Sequence, residues 1–217
     1  MIKYLLCSFF LASLITCTSQ DINRNEFVLT TVDTDFSKGR LGLEHDISLL
    51  DVEKFHGHLC DGLVVGFLGL MEGLEILYPD GKIDRTNTRI VSGSSPCLGD
   101  AAIYLCGSRY QFNTFYVSNA LEGLYVIQRI DNHKPVSVHL NQGVKPKEID
   151  VLGAKAVAGQ LNERELQHLK TLEDNFTEYL LSTNPKDNFT VIELFDFQWE
   201  PILTNDFIKT DILNKNK

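Results

Sequence analysis

Gly62-Leu63-Val64-Val65-Gly66-Phe67-Leu68-Gly69-Leu70-Met71-Glu72-Gly73-Leu74-Glu75-Ile76-Leu77 decides the fold of this 217-residue chain. No polar side chain interrupts it before Glu72, and a helix that is apolar nearly all round is a buried one. Gly62, Gly66, Gly69 and Gly73 fall at offsets of four, three and four, so on a helix they form one bare stripe. Each glycine costs about 1 kcal/mol relative to alanine there. Close approach by another element must offset that cost. The element can belong to this chain or to a second copy, so a homodimer stays open. Tyr78-Pro79-Asp80-Gly81 then stops the helix with turn chemistry.

Working outward, Thr88 to Ser92 reads as a strand and Cys97 to Cys106 as a second buried helix stopped by Gly107. Asn113–Val117, Tyr125–Ile130 and Val136–Leu140 are strand candidates, the last two a hairpin across Asp131-Asn132-His133-Lys134. Past Gln142 the chain turns helical: Asn162-Glu163-Arg164-Glu165 opens a capping box, and Leu166, Leu169, Leu172, Phe176 and Leu180 share one face. Phe189 to Phe197 reads as a further strand, followed by a polar tail from Thr204. Upstream, Asp46 is expected to cap a short helix through Val52, with a strand at Phe27-Val28-Leu29. The expected class is α+β, with a mixed or antiparallel sheet packed against buried helices. The expected division is a tether over 17–44, a single core domain over 45–142, and a C-terminal extension of helix and strand over 143–217.

Immediately before the glycine helix stands Phe55-His56-Gly57-His58-Leu59-Cys60-Asp61-Gly62. Two imidazoles and a thiol within five residues suit a borderline-soft metal, zinc first and iron second. On extended or looped backbone, alternate side chains share a side, so His56, His58 and Cys60 can face one site only if this segment is not helical. Taken singly, each histidine is equally at home as a hydrogen-bonded structural imidazole; the density of three favours a site. Cys97 follows Pro96 at the start of a predicted helix, where amide groups and the helix dipole lower a thiol's pKa. Asp100 lies three residues on, on the same helical face. The bland alternative makes Cys97 a small core residue and Asp100 a helix-start carboxylate. Cys106, among Ile103, Tyr104 and Leu105, reads as a packed core thiol.

The first of these motifs resembles the FHGHxCPG signature of the formylmethanofuran dehydrogenase E-like family. Ser94-Ser95-Pro96-Cys97-Leu98-Gly99-Asp100-Ala101 is similar to its second block, Cys-x-x-Asp-Ala, and the likeness runs from about Asp46 to Leu140. Asp61 stands where the family signature has proline. No cysteine follows Cys106 in this sequence, so the C-terminal zinc finger of some members is not expected here. The resemblance implies an α+β core, a Cys/His site and dimerisation, and supplies no settled reaction.

Formal charge is −9, and −10 without residues 1–16, whose one charged side chain is Lys3. An acidic chain with no Lys/Arg block argues against nucleic acid as a partner. No phosphate loop, nucleophile elbow, zincin helix or internal repeat occurs. Residues 1–16 read as a signal segment, Lys3 and then apolar Tyr4 to Ile15, too short to span a bilayer comfortably. Leu14-Ile15-Thr16-Cys17 looks like a lipobox, with Thr16 bulkier than usual and Cys17 as the lipidated residue; an ordinary cleaved signal is the alternative. Either way the domain is expected to be exported, and the lipid version faces the periplasm or cell exterior on a membrane anchor.

Export leaves three thiols, Cys60, Cys97 and Cys106, an odd number that forbids complete internal pairing. The central expectation is therefore one site from two distant segments. His56, His58, Cys60 and Cys97 would hold a divalent metal, and Cys60, Asp61 and Asp100 would act on a small-molecule substrate. A metal or cofactor carrier without turnover and a thiol-redox protein using Cys60 and Cys97 are the competing readings.

Overall fold

The computed structural model describes residues 25–33 and 43–197. The signal segment, Cys17, parts of the tether and the tail from Thr204 lie outside the described residues.

Two sheets and a helical layer make the fold. In the smaller sheet, β1 (Val28–Val32) sits between antiparallel β2 (His45–Ser48) and parallel β3 (Lys82–Asp84). In the larger, the order is β5 (Phe115–Val117), β4 (Thr88–Ser92), β6 (Tyr125–Arg129), β7 (Lys134–Leu140), β8 (Phe189–Glu193). Only the β4–β5 pair is parallel. The helices are α1 (Leu49–His56), α2 (Asp61–Leu77), α3 (Pro96–Cys106), α4 (Lys147–Val157), α5 (Glu163–Ser182) and the single turn α6 (Pro185–Asn188). This is an α+β fold with mixed sheets.

Helix α2 is the axis of the core. Leu63, Val64, Phe67, Leu68, Leu70 and Leu74 are all fully buried. The glycine stripe faces this chain's own elements. A Cβ on Gly66 would stand 2.8 Å from the Tyr125 hydroxyl and 3.3 Å from the Ala101 methyl. One on Gly73 would stand 2.6 Å from Ile127 and 2.8 Å from Val138. At these separations a side chain would force its neighbours to move, so α3 packs along one end of the stripe and β6 and β7 along the other. The alternation of β6 and β7 sorts their side chains accordingly. Tyr125, Ile127, Val136 and Val138 join the core with α2, while Val126 belongs to a smaller cluster with Val91 and Tyr116.

Two local expectations change. The residue capping α1 is Ser48, not Asp46: its hydroxyl accepts from the Asp51 N–H at 3.2 Å, and the Asp51 carboxylate accepts the Ser48 N–H at 3.0 Å. This reciprocal box starts the helix at Leu49 and frees Asp46 to pair in β2, where it accepts from the Thr30 hydroxyl at 2.9 Å. The segment read as an extension also supplies the fifth strand of the main sheet, because β8 pairs antiparallel with β7. Leu169, Phe176 and Leu180 of α5 bury into the same core as α2.

Candidate metal centre

Three helix ends meet at one place: the C-terminus of α1 and the N-termini of α2 and α3. His56 is the last residue of α1. Gly57 ends that helix in the left-handed region, φ 99°, and returns its N–H to the Glu53 carbonyl at 2.8 Å. The reversal carries the chain to Cys60, the N-cap of α2, whose sulfur accepts the Leu63 N–H at 3.4 Å. From the other side comes α3, with Pro96 in its first turn and Cys97 next. Phe55 on α1 stacks near Tyr104 on α3, ring centroids 5.2 Å apart, and ties the two helices together.

The donor atoms of His56, Cys60 and Cys97 all lie within 4.8 Å of one another. Cys60 Sγ is 3.6 Å from Cys97 Sγ and 3.8 Å from His56 Nε2. His56 Nδ1 is 2.7 Å from the Asp100 carboxylate. An ionised carboxylate only accepts, so Nδ1 carries a proton, and Nε2 is the ring nitrogen turned toward the sulfurs. Gly62 makes the close approach feasible: a Cβ there would stand 3.0 Å from Cys97 Sγ.

The two thiols are electrically unlike. Cys97 is pulled down to about 6, chiefly by the hydrogen bond from the Cys60 thiol, with help from the Ser95 hydroxyl and the neighbouring His56. Cys60 moves up, as the donor to Cys97 and by burial. One proton shared between two sulfurs is the state in which a metal can displace it.

The remaining predicted site residues stand outside the trio. His58 was expected beside His56 on extended backbone, but α1 runs through His56 itself. Gly57 then turns the chain, and the His58 ring lies against that of His56 at 4.7 Å between centroids rather than in the donor cluster. Asp61 opens α2, and its carboxylate accepts the Gly62 N–H at 2.8 Å. Cys106 is fully buried at the far end of α3. Two contributors carried no sequence signal of their own. Ser95 turns its hydroxyl to Cys97 instead of capping α3, and buried Tyr125 donates to the Leu98 carbonyl at 2.9 Å, holding the start of α3 to the sheet.

The donor set could hold a metal ion, and two thiols with an imidazole suit a borderline-soft one. Tetrahedral zinc coordination separates two sulfur ligands by about 3.8 Å and a sulfur from a nitrogen by about 3.6 Å, and the Cys60–Cys97 and Cys60–His56 separations of 3.6 and 3.8 Å lie within a few tenths of those values. A carboxylate on the far nitrogen of a ligating imidazole is the usual support for such a site.

A family model described as FmdE, molybdenum formylmethanofuran dehydrogenase operon, matches residues 55–190. The chain belongs to the FmdE family. The matched span starts at Phe55, takes in both site motifs and ends in β8, so the FmdE region contains α5 and the start of the fifth sheet strand as well as the candidate metal centre. No match among curated proteins accompanies it.

Proposed function

We propose that this FmdE-family protein is a zinc-dependent enzyme acting on a small molecule, with His56, Cys60 and Cys97 as ligands. The supporting observation is the trio itself: three mutually close soft donors, one short of the four that tetrahedral zinc takes. Two cysteines and one histidine form one of the ligand sets found in catalytic zinc sites. Zinc held there supplies Lewis acidity to a substrate oxygen. The chain does the rest. Asp100 keeps the proton on His56 Nδ1 and fixes the ring. The N-termini of α2 and α3 direct positive dipole ends at the two sulfurs. Asp61, at the rim, is the carboxylate available to take a substrate proton.

The chain is further proposed to be exported and anchored through lipid on Cys17, on the strength of Lys3, the apolar run and the Leu-Ile-Thr-Cys boundary. Among the described residues no helix is long and apolar enough to cross a membrane. A mature chain starting elsewhere without lipid, read by mass spectrometry, removes that part of the proposal.

A second reading has its own observation. Sulfurs 3.6 Å apart need only a modest approach to reach a disulfide bond of about 2.05 Å, so a thiol-redox couple is the alternative. Metal analysis of protein purified without chelator or metal-affinity resin separates the two. The enzyme reading expects about one zinc per chain, lost in Cys60→Ser. Metal-free protein with a reversible Cys60–Cys97 disulfide would replace it with the redox reading.

A further inference from the structure

The main sheet buries one face against α2 and turns the other away from it. On β7 and β8 the outer face carries Ser137 paired with Ile192 and His139 paired with Thr190. An apolar cluster stands on that face: Val91 of β4, Tyr116 of β5 and Val126 of β6, all buried, with Leu121, Leu194 and Phe197 packed against them. No member of the cluster comes from a helix, and two lie beyond the end of β8. Leu194 still runs beside β7, its N–H donating to the Pro135 carbonyl at 2.9 Å. β8 is an edge strand with β7 between it and β6. Phe197 therefore reaches the cluster because the chain has turned back across β7.

A groove of about 530 Å³ stays open beside that path. It is lined by Val126, Ser137 and His139 of the sheet, Leu121 of the loop before β6, and Ile192 and Phe197. Ile192 is still 48 % exposed there. Apolar surface left open beside a packed cluster marks contact with something further. The chain has a candidate at hand. Gln198-Trp199-Glu200-Pro201-Ile202-Leu203 follows Phe197 directly, with Phe207 and Ile208 soon after. Reach is no obstacle: strands about 4.8 Å apart put β5 about 19 Å from β8, a span of about six extended residues. The FmdE match stops at residue 190, so this segment is outside the span shared with the family.

We propose that residues 198–208 of this chain cover the outer face of the main sheet as a strap, with the Trp199 indole in the groove. The strap closes the second side of the sheet as α2 closes the first. The groove also holds a polar pair, His139 Nε2 and Ser137 Oγ at 3.1 Å, suited to the N–H of a ring that is otherwise apolar. The strap is separate from the metal centre and does not rest on the zinc-enzyme reading.

Trp199 is the only tryptophan of the chain, so its fluorescence in full-length protein reads the strap directly. Emission is expected well to the blue of that from the urea-unfolded protein, with weak acrylamide quenching, and unchanged on dilution. Ile192→Glu puts a carboxylate in the groove and should shift emission to the red and raise quenching. Trp199→Lys should open the groove to the apolar dye anilinonaphthalene sulfonate, which the parent should not bind. That second variant leaves every groove-lining residue in place and keeps the test decisive if Ile192→Glu fails to fold. Solvent-like emission from the folded parent, dye binding by the parent, blue emission that Ile192→Glu leaves in place, or no dye binding by Trp199→Lys overturns the proposal. Blue emission lost on dilution, in step with a fall from dimer to monomer in sedimentation, also overturns it and gives the face to a second copy of the chain.

Discussion

Helix α3 carries a cysteine near each end, and the two have opposite chemistry. Cys97, in the first turn, is half-buried, accepts hydrogen bonds from Cys60 and Ser95, and sits at the positive end of the helix dipole. Its pKa falls to about 6. Cys106, at the last turn, is fully buried among apolar side chains, and burial pushes it up to about 12. Helix direction and hydrogen-bond supply, not residue type, separate a candidate ligand from a core residue. The sequence is informative about both because Pro96 and Gly107 mark the two ends of the helix.

Serine in place of each cysteine should break the comparison most sharply. Cys97→Ser is expected to lose metal by more than the roughly 10–100-fold that a supporting residue costs. Cys106→Ser should retain metal and instead lose about 1–3 kcal/mol of stability, because its hydroxyl would be buried without a partner. Equal metal loss in both would mean the two ends are not distinct. Next, Asp100→Asn removes the carboxylate that holds His56, and chelator competition should show metal affinity weakened by about 10–100-fold with melting little changed. An affinity within twofold of the parent would leave Asp100 without that role.

Alkylation of metal-free protein sharpens the contrast further. The reactive form is the thiolate, so Cys97 labelling should rise with pH to half its maximum near pH 6, being protonated and slow below that. Cys106 should stay unlabelled until the protein unfolds. The smallest effect is expected from Gly62→Ala. Its methyl meets Cys97 Sγ at 3.0 Å and must push it by a few tenths of an ångström, weakening metal binding less than Asp100→Asn does.

Much of this arrangement was readable in advance because its signals are local. The apolar run marked α2 to within a residue, the Asn162–Glu165 pair marked the start of α5, and Pro96-Cys97 marked a thiol at a helix start. What escaped depends on partners distant in sequence. β2 and β3 are four and three residues long with no clean alternation, and they exist because β1 pairs with both. The glycine stripe gave close packing, but only the tertiary fold tells that Tyr125, Ile127 and Val138 fill it rather than a second copy of the chain. His58 failed to join the donors because one left-handed residue, Gly57, decides which way the loop leaves α1, and its φ is not written in the neighbouring residues.

X-ray absorption at the zinc edge on the full-length protein tests the central claim most directly. The account predicts two sulfur ligands at about 2.3 Å and one imidazole nitrogen at about 2.0–2.1 Å, with one lighter ligand completing the four, and the sulfur count dropping to one in Cys97→Ser. A shell with no sulfur, or one unchanged by that substitution, would contradict it.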